Sequence, residues 1–165
     1  MKPKLTIRPA VKNDLSSIMP LFEVARQFMA STGNANQWIA GYPQEELMAE
    51  EIAKEHCFVI VHQDEIVATF CLIIGKDPTY DIIEEGEWLN ELPYGTVHRL
   101  ASNGKIKGIG KACFDWCFEQ IPNIRVDTHK DNKVMQRVLE TYGFQYCGII
   151  YTHNGTERLA YQLMK

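Results

Sequence analysis

Three glycines and three lysines crowd into GKIKGIGK, residues 104–111, immediately ahead of an apolar, helix-periodic run. A helix N-terminus carries unpaired amides and a partial positive charge. Glycine leaves those amides open to close approach, and lysine adds attraction for an anion. Gly108 and Gly110, with Lys105, Lys107 and Lys111 around them, therefore read as a cradle for a phosphate group. The competing reading is a plain turn with solvated lysines. The chain has neither G-x-x-x-x-G-K-[ST] nor G-x-G-x-x-G, so a P-loop and a first dinucleotide-binding turn are both excluded.

Proton chemistry has two candidates. His98 lies in the β-rich run YGTVHRLAS just before the cradle. An imidazole titrates near neutral pH, which suits a general base. Strand alternation places His98 on the same face as Thr96 and Leu100. The alternative is a histidine tied into the core beside Arg99. Glu87 is the second candidate, in an acidic and aromatic patch with Glu84, Glu85 and Trp88. Such a patch attracts a cationic amine, although a solvated loop would have the same composition. In QWIAGYP, Trp38 and Tyr42 bring larger rings than a turn requires, so they either wall a binding pocket or cap the core. No pair of histidines has a ligand spacing with a third partner, so no metal site is expected.

These groups need a scaffold. At 165 residues and a formal net charge of -4, the chain suits one domain spanning 1–165 and lacks the basic face that nucleic acid demands. No apolar run approaches membrane-spanning length, and the first residues lack a signal-peptide core. Five cysteines, mostly in apolar segments, read as core thiols in a reducing compartment, so a cytoplasmic location is expected. The periodicities predict the order β-α-α-β-β-β-α-β-α-β-β. Asn13 or Asp14 caps the first helix, and Pro43 opens the second. The run 57–74 is a hairpin, and 77–93 is irregular. Asp131 or Asn132 caps the last helix, which ends at Gly143, and a second hairpin closes the chain. The central strand–helix–strand unit implies a parallel pair with a right-handed crossover, so the fold class is α/β, a mixed central sheet with helices on both faces.

One family combines these features. KIKGIG, residues 105–110, resembles the [QR]-x-x-G-x-[GA] signature of the GNAT acyltransferase superfamily, with Lys105 in the first place. NKVMQRVLETYGF, residues 132–144, is similar to that family's N-x-x-A-x-x-x-Y-x-x-x-G-F segment, and HRLAS resembles its fourth strand. The element order matches the GNAT fold along nearly the whole chain. The resemblance implies acetyl-CoA (coenzyme A) as cofactor. Lys105, Ile106, Lys107, Gly108, Ile109, Gly110 and Lys111 would hold the pyrophosphate. The backbone of Leu100, Ala101 and Ser102 would pair with the pantetheine arm, and Asn132 would lie beside it. Trp38 and Tyr42 would line the acceptor pocket, and Trp88, from the acidic and aromatic patch, is a further acceptor-binding candidate.

The implied reaction is N-acetylation of a small-molecule primary amine by direct attack in a ternary complex. His98, or a water relayed to Glu87, would deprotonate the amine. The family tyrosine that protonates the leaving thiolate aligns with Leu139, and Tyr142, three residues on, is the candidate substitute. Two other readings stay open: an acyl-CoA-binding sensor with little catalysis, and a protein or peptide N-acetyltransferase. The C-terminal hairpin offers an apolar edge that could pair two copies into a homodimer.

Overall fold

The computed structural model describes residues 2–165. Strand β1 (Thr6–Pro9) leads to helix α1 (Leu15–Ser31) and helix α2 (Glu45–Ala53). Strands β2 (Cys57–His62) and β3 (Glu65–Ile74) form the first hairpin. After an irregular segment come β4 (Gly95–Ser102), α3 (Ile109–Gln120), β5 (Asn123–Thr128) and α4 (Lys133–Tyr142). The hairpin of β6 (Gln145–Tyr151) and β7 (Glu157–Met164) ends the chain. The strands form a seven-stranded sheet in the order β1-β2-β3-β4-β5-β7-β6.

Helices cover both faces because each presents one apolar stripe. On one face Ile109, Cys113, Phe114 and Cys117 of α3, with Leu139 of α4, pack on Val97, Ile124 and Val126. On the other, Ile18, Leu21 and Phe22 of α1 and Met48 and Ile52 of α2 pack on Val59, Cys71 and Ala101. All five cysteines are free and buried. The helix starts differ in detail from expectation. Asp14 precedes α1, but its carboxylate bonds Arg8 and the Val11 amide rather than capping the helix. Glu45, not Pro43, takes the first helical position of α2, with Gln44 as its N-cap.

Two features of the sheet make room for a site. The parallel β4–β5 ladder holds only at Gly95↔Ile124 and Thr96↔Arg125. Beyond these the strands part, while β5 stays fully paired to β7 on its other side. The second feature is a bulge in β4. Cys71 faces His98 and Thr69 faces Ala101, so β4 spends one more residue than β3 over the same span. Arg99 takes a left-handed φ of 55° to absorb it. The extra residue inverts the alternation beyond it. Leu100 packs on the Val97 core, whereas Ala101 lies on the opposite face. The expectation that His98 and Leu100 share a face is thus corrected: His98 shares its face with Thr96, and the bulge turns Leu100 away.

The irregular segment between β3 and β4 is anchored rather than loose. The Arg125 guanidinium lies 4.1 Å from the Trp88 ring centre and 4.0 Å from that of Tyr94, and donates to the Asn90 carbonyl at 2.8 Å. Trp88 Nε1 donates to the Tyr80 carbonyl at 2.9 Å. Gly86 slides under β6 so closely that a Cβ would stand 1.9 Å from the Cys147 carbonyl oxygen. That approach lets Glu84 and Ile149 exchange backbone hydrogen bonds of 2.9 and 2.8 Å. The outer edge of the C-terminal hairpin is therefore β6, and the chain's own residue 84 covers part of it.

Candidate active site

The parted ends of β4 and β5 open a cleft of about 1220 Å³. Its floor is β4 with Val126, Asp127 and Thr128 of β5. One wall comes from α3 and α4. The other comes from the α1–α2 loop, the segment after β3 and the β6–β7 turn.

At one end stands the start of α3. Gly108 is its N-cap, at φ 84°, a conformation that costs glycine least, and nothing lies within 4 Å of where a Cβ would project. The Ala112 amide donates to the Gly108 carbonyl, so the amides of Ile109, Gly110 and Lys111 precede the first helical donor. A Cβ on Gly110 would stand 3.1 Å from Val138 Cγ1, so glycine also lets α4 pack close here. Side chains shape the turn, with Ser102 Oγ accepting from the Gly104 amide and Asn103 Oδ1 from that of Lys105. Leu100, Ala101, Ser102, Ile109, Gly110 and Asn132 line the cleft. Lys105, Lys107, Gly108 and Lys111 are exposed beyond its end, Lys111 pairing with Asp115 at 2.6 Å, and Ile106 packs into the α3–α4 core. Open amides, an unobstructed glycine and flanking lysines fit a diphosphate, with the cleft leading away between the parted strands for the rest of a long cofactor.

At the other end is a pair of side chains. His98 Nε2 stands 3.3 Å from Asp77 Oδ2, both residues lining the cleft. The separation is long for a hydrogen bond, as catalytic contacts in ligand-free proteins commonly are. Asp77 is fixed from behind. Its Oδ1 accepts from the Thr79 amide at 2.9 Å and the Thr79 hydroxyl at 2.7 Å, and its own amide donates to Tyr94 Oη at 2.8 Å. Burial alone would push the Asp77 carboxyl up, but His98 and Thr79 outweigh it and hold it down to about 2. A carboxylate on Nε2 keeps that nitrogen protonated and leaves Nδ1 as the basic atom.

Between these ends, Trp38 packs edge-on to Phe22 and Tyr42. Tyr42 Oη accepts from Arg99 Nε at 2.8 Å, and the guanidinium continues to Glu51 at 3.4 Å. The bulge is what points Arg99 at this loop. Gln37 Oε1 accepts from Asn34 and Asn132, each at 2.9 Å, which straps the α1–α2 loop to the start of α4. Asn132 meanwhile caps α4 through Oδ1, at 3.0 Å from the Met135 amide.

Three of the six expected catalytic and acceptor residues do not reach the cleft. Glu87 is exposed on the far side of the anchored segment, because its neighbour Trp88 turns inward to cover Arg125. Trp88 is therefore a core ring, not an acceptor wall. Tyr142 stacks among Phe114, Phe118 and Phe144, and its hydroxyl bonds Asp115 at 2.7 Å and Lys165 at 2.9 Å. Burial and Asp115 push that hydroxyl up, which suits a structural phenol. Leu139, in the aligned position, is fully buried core. Asp77, Gln37, Glu51 and Arg158 line the cleft without having been singled out in the sequence. Asp77 sits in a DP turn, and nothing local announces a partner 21 residues away. Among the described residues no three His, Cys, Asp or Glu gather as a metal site, and no helix is long and apolar enough to cross a membrane.

Comparison with known proteins follows the geometry. Residues 4–145 match the family model for an acetyltransferase (GNAT) domain. A GNAT-family acetyltransferase from Streptococcus agalactiae is 35% identical, with a TM-score of 0.88 over 98% of this chain and 95% of its own. A putative acetyltransferase from Staphylococcus aureus is 24% identical, with a TM-score of 0.71 over 96% of this chain and 98% of its own. A putative acetyltransferase from Salmonella typhimurium, yncA, solved with its cofactor acetyl-CoA, is 13% identical and shares the fold at a TM-score of 0.63, over 97% of this chain and 93% of its own. No curated protein matches the chain.

Proposed function

The chain belongs to the GNAT acetyltransferase family, and from that premise we propose that it transfers the acetyl group of acetyl-CoA to a primary amine of a small molecule, by direct attack in a ternary complex. The observation that carries this reading is a single cleft holding both an open helix N-terminus and a carboxylate-paired imidazole.

The amides of Ile109, Gly110 and Lys111, with Lys105 and Lys107, would hold the diphosphate of acetyl-CoA. Backbone groups of Leu100, Ala101 and Ser102, on a strand freed from β5, would pair with the amides of its arm. When bound, the cofactor supplies an activated thioester whose thiol, with a pKa of about 8.5, is a fair leaving group unaided. That removes the need for Tyr142 as an acid. His98 Nδ1 takes the proton from the acceptor's ammonium, because only the neutral amine is nucleophilic. Asp77 holds the Nε2 proton and stabilises the imidazolium that results. Trp38 and Tyr42 wall the acceptor side and exclude water. The Salmonella relative solved with acetyl-CoA supports the choice of cofactor.

The test is calorimetric titration with acetyl-CoA, coenzyme A and ATP, followed by free-thiol release against a panel of amines and peptides. Binding of acetyl-CoA over ATP, with thiol release for a small amine, is the expected result. Binding without release would make the protein an acyl-CoA sensor. Release with peptides alone would make it a peptide acetyltransferase. No acetyl-CoA binding would overturn the assignment.

A further inference from the structure

The acceptor end of the cleft contains a charge that the transfer reaction does not use. Arg158, on β7, lines the cleft and is only 8% exposed. Its Nη2 donates to the Gln37 carbonyl at 3.1 Å and its Nη1 to the Glu157 carbonyl at 3.0 Å. Among the described residues no carboxylate oxygen lies within 4 Å of it, whereas Arg8, Arg26 and Arg99 each have one. A guanidinium withdrawn from water and bonded only to neutral carbonyls is costly unless a counter-ion completes it. Burial pushes the group below its usual value, while Asp127 opposes that at longer range. Asp127 is itself committed to the Tyr80 hydroxyl at 2.6 Å. His129, near the guanidinium, adds no negative charge.

We propose that Arg158 is a subsite for a carboxylate carried by the acceptor, so that the substrate is a small amino acid with its reactive amine at His98 and its acid group at Arg158. This rests on the acceptor site assigned above. The planar fork of arginine matches a carboxylate with two parallel hydrogen bonds. A phosphate dianion would meet stronger repulsion from Asp127, which makes the monoanion the better fit. The register supplies a scale. Thr96 pairs with Arg125, Asp127 with Ala160, and Arg158 lies two residues beyond Ala160 on the same face. Two strand spacings and a two-residue offset put the His98 and Arg158 backbones at least about 12 Å apart, since β4 and β5 have already parted at His98. Both side chains line the cleft, so a flexible aliphatic spacer joins the two ends, and a series of chain lengths sets its size.

The experiment uses ω-amino acids of increasing chain length, their uncharged amides and matched aminoalkyl phosphates, with wild type, Arg158→Gln and Arg158→Lys. Thiol release should favour an acid over its amide by about 10- to 100-fold in kcat/KM, the range for one hydrogen-bonded charged group. That ratio should fall toward one in Arg158→Gln and survive in part in Arg158→Lys. Melting curves separate this from a general loosening, which would lower turnover of acid and amide alike and leave their ratio intact. Equal use of acid and amide by wild type overturns the proposal, and preference for the phosphate overturns the carboxylate assignment. The same compounds are titrated calorimetrically into protein saturated with coenzyme A. If nothing is acetylated, acid binding that disappears in Arg158→Gln would retain the subsite while removing the transferase reading. Absence of acid binding would remove the subsite.

Discussion

Replacing Asp77 with asparagine isolates the step on which the mechanism turns. The substitution preserves shape and removes one charge. Two donors from Thr79, its amide and its hydroxyl, converge on Oδ1. In Asp77→Asn the amide oxygen stays with those donors, so the new NH2 faces His98 Nε2. An NH2 cannot accept the Nε2 proton. The imidazole must then accept through Nε2 and carry its proton on Nδ1, which is the wrong tautomer for taking a proton from the acceptor. A positioned general base contributes about 10²–10⁴-fold, so kcat should fall at least about 100-fold with acetyl-CoA affinity unchanged. The stability effect is smaller. The Asp77 carboxyl drops from a usual 3.8 to about 2, burial being outweighed by His98 and Thr79. That is about 2 kcal/mol of preference for the charged form. With Thr79 sharing the effect and solvent screening the half-buried group, about 1 kcal/mol belongs to His98. The folded value is depressed, so this stability is present above about pH 4 and fades as pH falls toward 2. Thiol release measures kcat, and nitrogen chemical shifts of His98 report its tautomer. A kcat within about twofold of wild type, or an unchanged tautomer, would refute the reasoning.

Two further substitutions test the assignments on either side of this pair. Gly108→Glu places a carboxylate at the open start of α3 and strains the left-handed backbone there, so acetyl-CoA binding measured by calorimetry should be lost, and unchanged affinity would remove the diphosphate cradle. Tyr142→Phe removes hydrogen bonds to Asp115 and Lys165, so urea unfolding should show a loss of about 1 kcal/mol while turnover stays within about twofold. A tenfold fall in turnover would restore Tyr142 as the acid.

Local physics is what the chain spelled out. The glycine and lysine stretch opens a helix because Gly108 permits a left-handed cap and Ile109, Cys113 and Cys117 repeat on one face, both readable within a few residues. Asn132 caps α4 by the same short-range logic. Alternation marked the strands, and one crossover fixed the parallel pair. Family membership followed from these together with KIKGIG and the run from Asn132 to Phe144.

What the tertiary structure decided was which side chains meet. The β4 bulge arises from pairing between β3 and β4, and it redirects Arg99 and reverses Leu100, against the alternation expected of the strand alone. Asp77 finds His98 only because Arg125, Trp88 and Tyr94 pin an irregular segment that has no periodicity to read. The same pinning buries Trp88 and leaves Glu87 outside, since an aromatic side chain beside a buried guanidinium gains more from covering it than from facing water. Contacts of this kind join residues as far as 121 positions apart. Residue type and spacing could nominate His98 and the start of α3 for chemistry. The partners Asp77, Gln37 and Arg158 become functional candidates through long-range packing, where sequence neighbours carry no signal.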